Sequence, residues 1–295
     1  MFEWSINGRL FHIREARTEA DFRAVEDIQR DAWQFSDLDI VPFANLIASQ
    51  WAGGVVLLAF EGDTSIGFAY GFPGYEEGRC SIHSHMLAVR PDWRNFQAGF
   101  HLKLAQRQWV LEKGLSEITW TFDPLQSLNA HLNFTKLGVV SDRYIVNFYG
   151  ESSSSPLHHG FGTDRLWVRW LLTSERVEDR IDPASSPPRQ RIPDSDLETP
   201  SASPWILVYR EGSEPISNEF GSRLSGDRLL IEIPHDITSF KEHEPGAALR
   251  WREASRRAFN AALGTGFVVE EMVRLEREPV PRWFYQLSRK SSAGE

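Results

Sequence analysis

Apolar residues in this chain fall into short segments whose period switches between two and about 3.6 residues, and the order of those segments limits the fold more than any other feature. Residues 10–16 (LFHIREA) alternate as a strand does. Thr18 caps an expected helix over 19–34, with Asp21 in its first turn and Phe22, Val25, Ile28 and Ala32 on one face. Pro42 opens a second short helix that ends at Gly53-Gly54. Two strands, GVVLLAFEG and SIGFAYGF, follow around a turn at Gly62-Asp63, and residues 80–89 (CSIHSHMLAV) read as a third. Residues 97–113 form a helix with Ala98, Leu102, Ala105 and Trp109 on one face and Gly114 at its end. A strand at 117–122 (EITWTF), a helix at 127–137, and strands at 143–149 (RYIVNFY) and 165–172 (RLWVRWLL) complete the series.

The resulting order, β-α-α-β-β-β-α-β-α-β-β, predicts a mixed α/β fold in which helices cover a sheet. After Leu172 the composition changes. Residues 173–203 run through SSPP, PDSD and TPSAS, a Pro/Ser-rich stretch that reads as a linker. Strand-like WILVYRE and RLLIEIP come next, then a helix over about 245–263 with Ala248, Trp251, Ala254, Ala258 and Ala262 in a stripe, then extended segments at 267–275 and 283–287. The expected organisation is a first domain over 1–172, a linker over 173–203, and a small α/β C-terminal domain or extension over 204–290. With 295 residues, the chain has length for one large domain or two ordinary ones. A net charge of −9 argues against a general nucleic-acid binder. No apolar run approaches the ~20 residues needed to span a bilayer, and the N-terminal MFEWSINGRL lacks the charged-then-apolar pattern of an export signal. The single cysteine, Cys80, can form no internal disulfide, which fits a reducing compartment. The expectation is a cytoplasmic protein with neither a nucleic-acid nor a membrane partner.

The most informative segment is LAVRPDWRNFQAGFHLKLAQ, residues 87–106. A strand ends at Arg90-Pro91, a short loop follows, and a helix begins near Gln97. Free backbone N–H groups and the positive end of a helix dipole then meet in one place, which suits an anion and particularly a pyrophosphate. An ordinary strand–loop–helix junction is the alternative. The segment resembles the acyl-CoA loop of the GNAT acetyltransferases, whose hallmark is Arg/Gln-x-x-Gly-x-Gly/Ala after a Val-x-Pro strand end. Here it reads Arg94-Asn95-Phe96-Gln97-Ala98-Gly99, with Gln97 in place of the middle glycine. A second segment, NAHLNFTKLG at 129–138, supplies Asn129, Ala130, Lys136, Leu137 and Gly138 at the spacing common in the same family. Two linked motifs in the right order are far more specific than either alone. The resemblance is strong over about 85–150 and follows the element order over 10–172.

The resemblance implies a GNAT-like, mostly antiparallel mixed sheet flanked by helices, with acetyl-CoA or another acyl-CoA as co-substrate and no metal. It implies that the backbone of Leu87, Ala88 and Val89 pairs with pantetheine amides, that Arg94, Asn95, Phe96, Gln97, Ala98 and Gly99 hold the pyrophosphate, and that Asn129 faces the cofactor arm. For Asn129, a helix N-cap after Pro124 is a compatible role. Where many family members carry a tyrosine as general acid, this chain has Phe134, which has no proton to give. Tyr149 and Tyr144, on the following strand, are the substitutes, with packing as the alternative role for each. An amine acceptor must lose a proton before it attacks a thioester, and His85, two residues before Leu87, is the candidate base. His83 shares its face by strand alternation, and Asp123 is a weaker option.

The implied function is acyl transfer to the amine of a small molecule, an amino acid among the acceptors. The string TWTFDPLQSLNAHLN resembles a branch of the family with a C-terminal extension, some of whose relatives are associated with N-acylation of amino acids, including N-succinylation. The alternative is a non-catalytic CoA-binding regulatory or assembly module, favoured by Gln97 and Phe134. A homodimer is compatible with either. Arg250, Arg252, Arg256 and Arg257 on the C-terminal helix suit a carboxylate or phosphate, or a solvated face.

Overall fold

The computed structural model describes residues 2–76, 78–150, 161–182, 184, 192–276 and 280–289. They form two compact units, one within residues 2–120 and the other over 121–150 and 161–289. The chain passes from one to the other inside a strand, at Trp120/Thr121, well before the composition change at Leu172.

In unit 1, β1 (Phe2–Ile6) and β2 (Arg9–Glu15) form a hairpin. Asn7 and Gly8 both take positive φ at its turn, as a two-residue hairpin with right-handed strand twist demands. The sequence expectation placed no element before residue 10, although Asn-Gly is the strongest short hairpin signal. Helix α1 (Glu19–Trp33) starts with a capping box, in which Thr18 Oγ1 accepts from the Asp21 amide and Asp21 accepts from the Thr18 amide. Its Phe22, Val25 and Ile28 are buried, as the helical spacing predicts. Helix α2 (Phe43–Trp51) precedes β3 (Val55–Glu61), β4 (Thr64–Glu76) and β5 (Arg79–Val89). Helix α3 (Ala98–Glu112) leads to β6 (Glu117–Phe122). The strands lie in chain order; every neighbouring pair is antiparallel except β5 and β6, which are parallel because α3 crosses between them. Residues of α1, α2 and the sheet, among them Val25, Ile28, Leu46, Leu58, Phe68 and Tyr70, form one apolar core. This is the expected mixed, mostly antiparallel sheet flanked by helices.

Unit 2 begins with α4 (Ser127–Ala130), which runs into a π-turn over His131–Lys136 where one continuous helix over 127–137 was expected. Strand β7 (Val140–Ile145) is followed by a turn, so Tyr149, the last residue of the strand predicted at 143–149, lies outside the strand. Strand β8 (Arg165–Leu171) pairs with it. The stretch expected as a linker contains α5 (Glu175–Ile181) and α6 (Asp194–Glu198), and its residues 183 and 185–191 lie outside the described residues. Helix α5 is tied down by side chains: Arg180 pairs with Glu271, and Arg176 donates to the Gly138 carbonyl. Then come β9 (Ile206–Glu211), β10 (Glu214–Ser217), β11 (Arg228–Ile233), α7 (Ile237–His243), α8 (Pro245–Gly264), β12 (Phe267–Leu275) and β13 (Arg282–Arg289). The strand order is β8-β7-β12-β13-β11-β9-β10. Strand β7 meets β12 at Ser141 and Val269, so β7 and β8 share a sheet with the C-terminal strands. The stripe Ala248, Trp251, Ala254, Ala258 and Ala262 of α8 is buried throughout, as its spacing predicts.

Candidate active site

Strand β5 organises the site in unit 1. It pairs with β4 along its length, but Tyr70 faces Met86 while Gly71 faces Ser84, leaving His85 as the extra residue of a β-bulge. On its other side β5 meets β6 only at Ile82↔Ile118 and His83↔Thr119. Past that point no β5 residue pairs with β6 among the described residues, so the two strands fork. The edge of β5 from Ser84 to Val89 keeps its backbone groups for a partner other than β6.

The bulge places two imidazoles together at the fork. Their ring centroids are 6.4 Å apart. His83 is buried, and its Nδ1 hydrogen-bonds Thr119 Oγ1 at 3.0 Å. Burial, then the neighbouring His85 and Lys103, bring its pKa down to about 4. His85 is half-buried among Phe72 at 5.5 Å, Tyr70 at 6.0 Å and His83. Burial lowers its pKa too. A lowered imidazole is neutral at physiological pH, which is the form that takes a proton.

A lysine occupies the root of the fork. The residues that follow the last β5–β6 pair are Ser84 and Trp120, and buried Lys103 of α3 touches both: Nζ lies 2.8 Å from Ser84 Oγ and 3.6 Å from the Trp120 ring centroid. Burial holds its pKa well below the usual lysine range. The sequence reading missed Lys103. Its only signal is helical spacing, since Lys103 falls on the buried side of α3 with Gln106 and Val110.

The loop after β5 is more ordered than expected. Pro91–Phe96 form a 3₁₀ turn, Gln97 takes the left-handed conformation with φ 57°, and α3 starts at Ala98 with no side-chain cap. Its first amides are therefore open toward the strand end. Unit 1 pins this loop at four points. Trp4 Nε1 donates to the Phe96 carbonyl at 3.1 Å, Trp93 Nε1 to Glu61 at 2.9 Å, Arg94 Nη2 to the Ala32 carbonyl at 3.1 Å, and Arg90 Nε to the Ser65 carbonyl at 2.9 Å. The Arg94 side chain thus ties the loop to the end of α1, and the exposed Asn95 carries no such tie. A Cβ on Gly99 would stand 3.5 Å from Leu87 and 4.0 Å from Val89, so the helix start lies against the forked part of β5. Leu87, Ala88, Val89, Arg94, Asn95, Phe96, Gln97, Ala98, Gly99, His83 and His85 are therefore brought together in unit 1. A cavity of about 680 Å³ in the same unit, lined by Arg17, Trp51, Trp109 and Lys113 among others, contains none of them.

The remaining candidates belong to unit 2, and the structure of unit 1 does not bring them to His85. Asn129 is exposed inside α4 and accepts from Asn133 at 3.4 Å; the N-cap of that helix is Gln126, so the N-cap role for Asn129 is corrected. Phe134 is buried against Phe122 and Tyr285 as a core residue. Tyr144 donates to Asp164 at 2.7 Å and stacks on Phe259; burial, then the nearby Asp164, raise its pKa, which makes it a structural phenol. Tyr149 is 46% exposed in the turn after β7, so its place on a strand is corrected. Asp123 is engaged by Arg252. Among the described residues no group of three or more His, Cys, Asp or Glu side chains could hold a metal.

Residues 22–139 match the model of the acetyltransferase (GNAT) family. Over these residues the chain is similar to the GNAT acetyltransferases, a class whose chemistry is acyl transfer. No curated protein matches the chain. Among solved structures it is similar to the ribosomal-protein-S18-alanine N-acetyltransferase of Escherichia coli, at 14% identity over 56% of this chain and 95% of that one, with a TM-score of 0.45. The ribosomal-protein-alanine N-acetyltransferase of Brucella melitensis is 20% identical over 54% and 99%, at 0.45. A GNAT family acetyltransferase from Elizabethkingia anophelis with acetyl-CoA bound is 16% identical over 55% and 97%, at 0.42.

Proposed function

We propose that unit 1 binds an acyl-CoA, acetyl-CoA or a related thioester, at the β5 fork and the Arg94–Gly99 loop, and moves its acyl group to the amine of a small molecule. The observation that carries this reading is the fork itself: an unpaired strand edge, a neutral imidazole beside it, and the open amides of α3 at its end. The edge from Ser84 to Val89 suits the amides of a pantetheine arm, and the start of α3 suits its pyrophosphate. His85 takes the proton from the acceptor ammonium. The freed amine attacks the thioester carbonyl, an amide C–N bond forms as the nitrogen sheds its second proton to solvent, the C–S bond breaks, and the CoA thiolate leaves. A thiol is acidic enough to leave without a general acid, which accommodates Phe134. Amino acids are the acceptor class we favour among small amines.

Gln97 and buried Phe134 support a second reading, a module that binds CoA without turning it over. Release of free thiol from acetyl-CoA, measured against a panel of amines that includes amino acids, separates the two. Amine-dependent release supports the enzyme. CoA binding with no release for any amine or acyl chain supports the module.

A further inference from the structure

The cavity of unit 1 is a place that the acyl-transfer reading does not use. Its volume of about 680 Å³ falls among those of small-molecule sites, roughly 300–1,000 Å³. Residues of α1, α2 and α3 line it. Helix α2 ends at Trp51 and α3 at Glu112, and Trp51, Trp109 and Lys113 all belong to the lining, so the C-terminal ends of both helices border the cavity.

Two features of this lining call for a ligand. Gln50 Nε2 donates to the Ala16 carbonyl at 2.9 Å, which sets the orientation of the amide and leaves Oε1 a buried acceptor with no hydrogen-bond partner. A buried acceptor without a donor is unfavourable, so Oε1 marks a place for an N–H or O–H group. Trp51 is 88% exposed and Trp109 half-buried, so two indoles border the cavity outside the apolar core.

The charges say what kind of ligand fits. Glu15 brings a carboxylate to the lining, and Arg17 and Lys113 bring cations. Among the described residues the side chains of Glu15 and Arg17 make no ion pair or hydrogen bond, and Lys113 lies 5.2 Å from the Trp109 ring centroid. The carboxylates nearest to these cations in the chain are engaged elsewhere: Asp21 by Arg14, Glu19 by Arg23, and Glu112 by Gln108. An ammonium suits Glu15, Gln50 Oε1 and the negative ends of two helix dipoles. A carboxylate suits Arg17 and Lys113, and an aromatic ring suits the indoles. A simple amine meets two cations with nothing to offer them. A simple acid meets Glu15 and both helix ends, and leaves Oε1 without a donor. A molecule with both charges answers the whole lining.

We propose that this cavity binds a small zwitterion with an aromatic body, of which a free aromatic amino acid is the simplest case. The site is separate from the fork, since none of the residues proposed to hold acyl-CoA lines it, and it stands whether or not unit 1 transfers an acyl group.

The test uses the full chain without CoA, with thermal shift and titration calorimetry as readouts. Phenylalanine is the probe; glycine lacks its ring, phenethylamine its carboxylate and 3-phenylpropionate its ammonium. Phenylalanine should bind at least tenfold more tightly than each of the three. Trp51, Arg17 and Lys113 are exposed, so their replacement leaves the core intact. Trp51→Ala should weaken phenylalanine at least tenfold. The double change Arg17→Gln and Lys113→Gln should do the same and leave phenethylamine no weaker. Arg23→Gln, an exposed change on α1 outside the cavity, should bind phenylalanine as wild type does. No binding of phenylalanine, or equal binding by wild type, Trp51→Ala and the double variant, overturns the site. Phenethylamine or 3-phenylpropionate binding as tightly as phenylalanine overturns the zwitterion, and glycine doing so overturns the aromatic body.

Discussion

At the scale of single residues, the imidazole pair of β5 makes two predictions. His85→Ala should lower kcat by about 10²–10⁴-fold, the usual worth of a general base, with CoA affinity close to wild type. Because burial lowers the His85 pKa, the base form persists into more acidic solution. The acid limb of kcat/KM should therefore fall below the ordinary imidazole value of about 6.5, and the limb should vanish in the variant. Turnover by His85→Ala at the wild-type rate across pH would make His85 a packing residue. His83 speaks to stability instead. Its pKa is about 4 in the fold, against about 6.5 unfolded. Between those values the unfolded chain binds the proton and the fold does not, so stability present above pH 6.5 is lost as pH falls toward 4, by about 3 kcal/mol in full. His83→Gln can still meet Thr119 but cannot titrate, and should flatten the fall in melting temperature from pH 7 to 4.5. An unchanged slope would place the acid sensitivity elsewhere.

At the scale of elements, the junction between the 3₁₀ turn and α3 explains why the family motif has a glycine where this chain has Gln97. The position requires φ 57°, which disfavours a side chain by roughly 1–2 kcal/mol. Gln97→Gly should therefore melt no lower than wild type, and Gln97→Val, β-branched at positive φ, clearly lower. On the proposed reading, in which the amides of α3 cradle the pyrophosphate, Gln97→Gly should also bind CoA at least as well in calorimetry. Weaker binding would show that the Gln97 amide itself contacts a phosphate. Gly99 has the opposite character. A Cβ there meets only ordinary contacts, so Gly99→Glu should fold, and its carboxylate at the helix start should repel the pyrophosphate. Equal CoA affinity in wild type and Gly99→Glu would remove the loop as the binding site.

At the scale of the molecule, the organisation follows tertiary pairing, and composition misleads. The Pro/Ser-rich stretch after Leu172 looks like a boundary, yet β7 and β8 precede it and share a sheet with strands that follow it. Unit 2 is thus assembled from segments far apart in the chain, and the Asp123–Arg252 pair closes a separation of 129 residues. Asp123→Ala leaves the Arg252 charge buried without its counter-ion, and should destabilise the fold by about 3–5 kcal/mol. In wild type this contribution is present above the ordinary aspartate pKa of about 3.9 and lost as pH falls below it, because the folded carboxyl is held lower still. Denaturant melts of the variant at pH 7, compared with wild type, check the magnitude. A loss under 1 kcal/mol would mean that the pair contributes little.

The sequence by itself determined what depends on neighbours along the chain. The α1 capping box, the buried faces of α1 and α8, and the strand–loop–helix order around Arg94–Gly99 are all local, since periodicity and capping act over one or two turns. The placement of His85 beside the loop was legible because it lies only four positions before the strand end. Tertiary structure decided the rest. The bulge at His85, the fork between β5 and β6, and the burial of Lys103 at its root depend on pairing among β4, β5 and β6, which no local pattern encodes. Asp123 and Arg252 each look like solvated residues in the sequence, a turn aspartate and one arginine of a charged helix face. They become a buried pair because folding excludes water from both, and in that setting each charge requires the other.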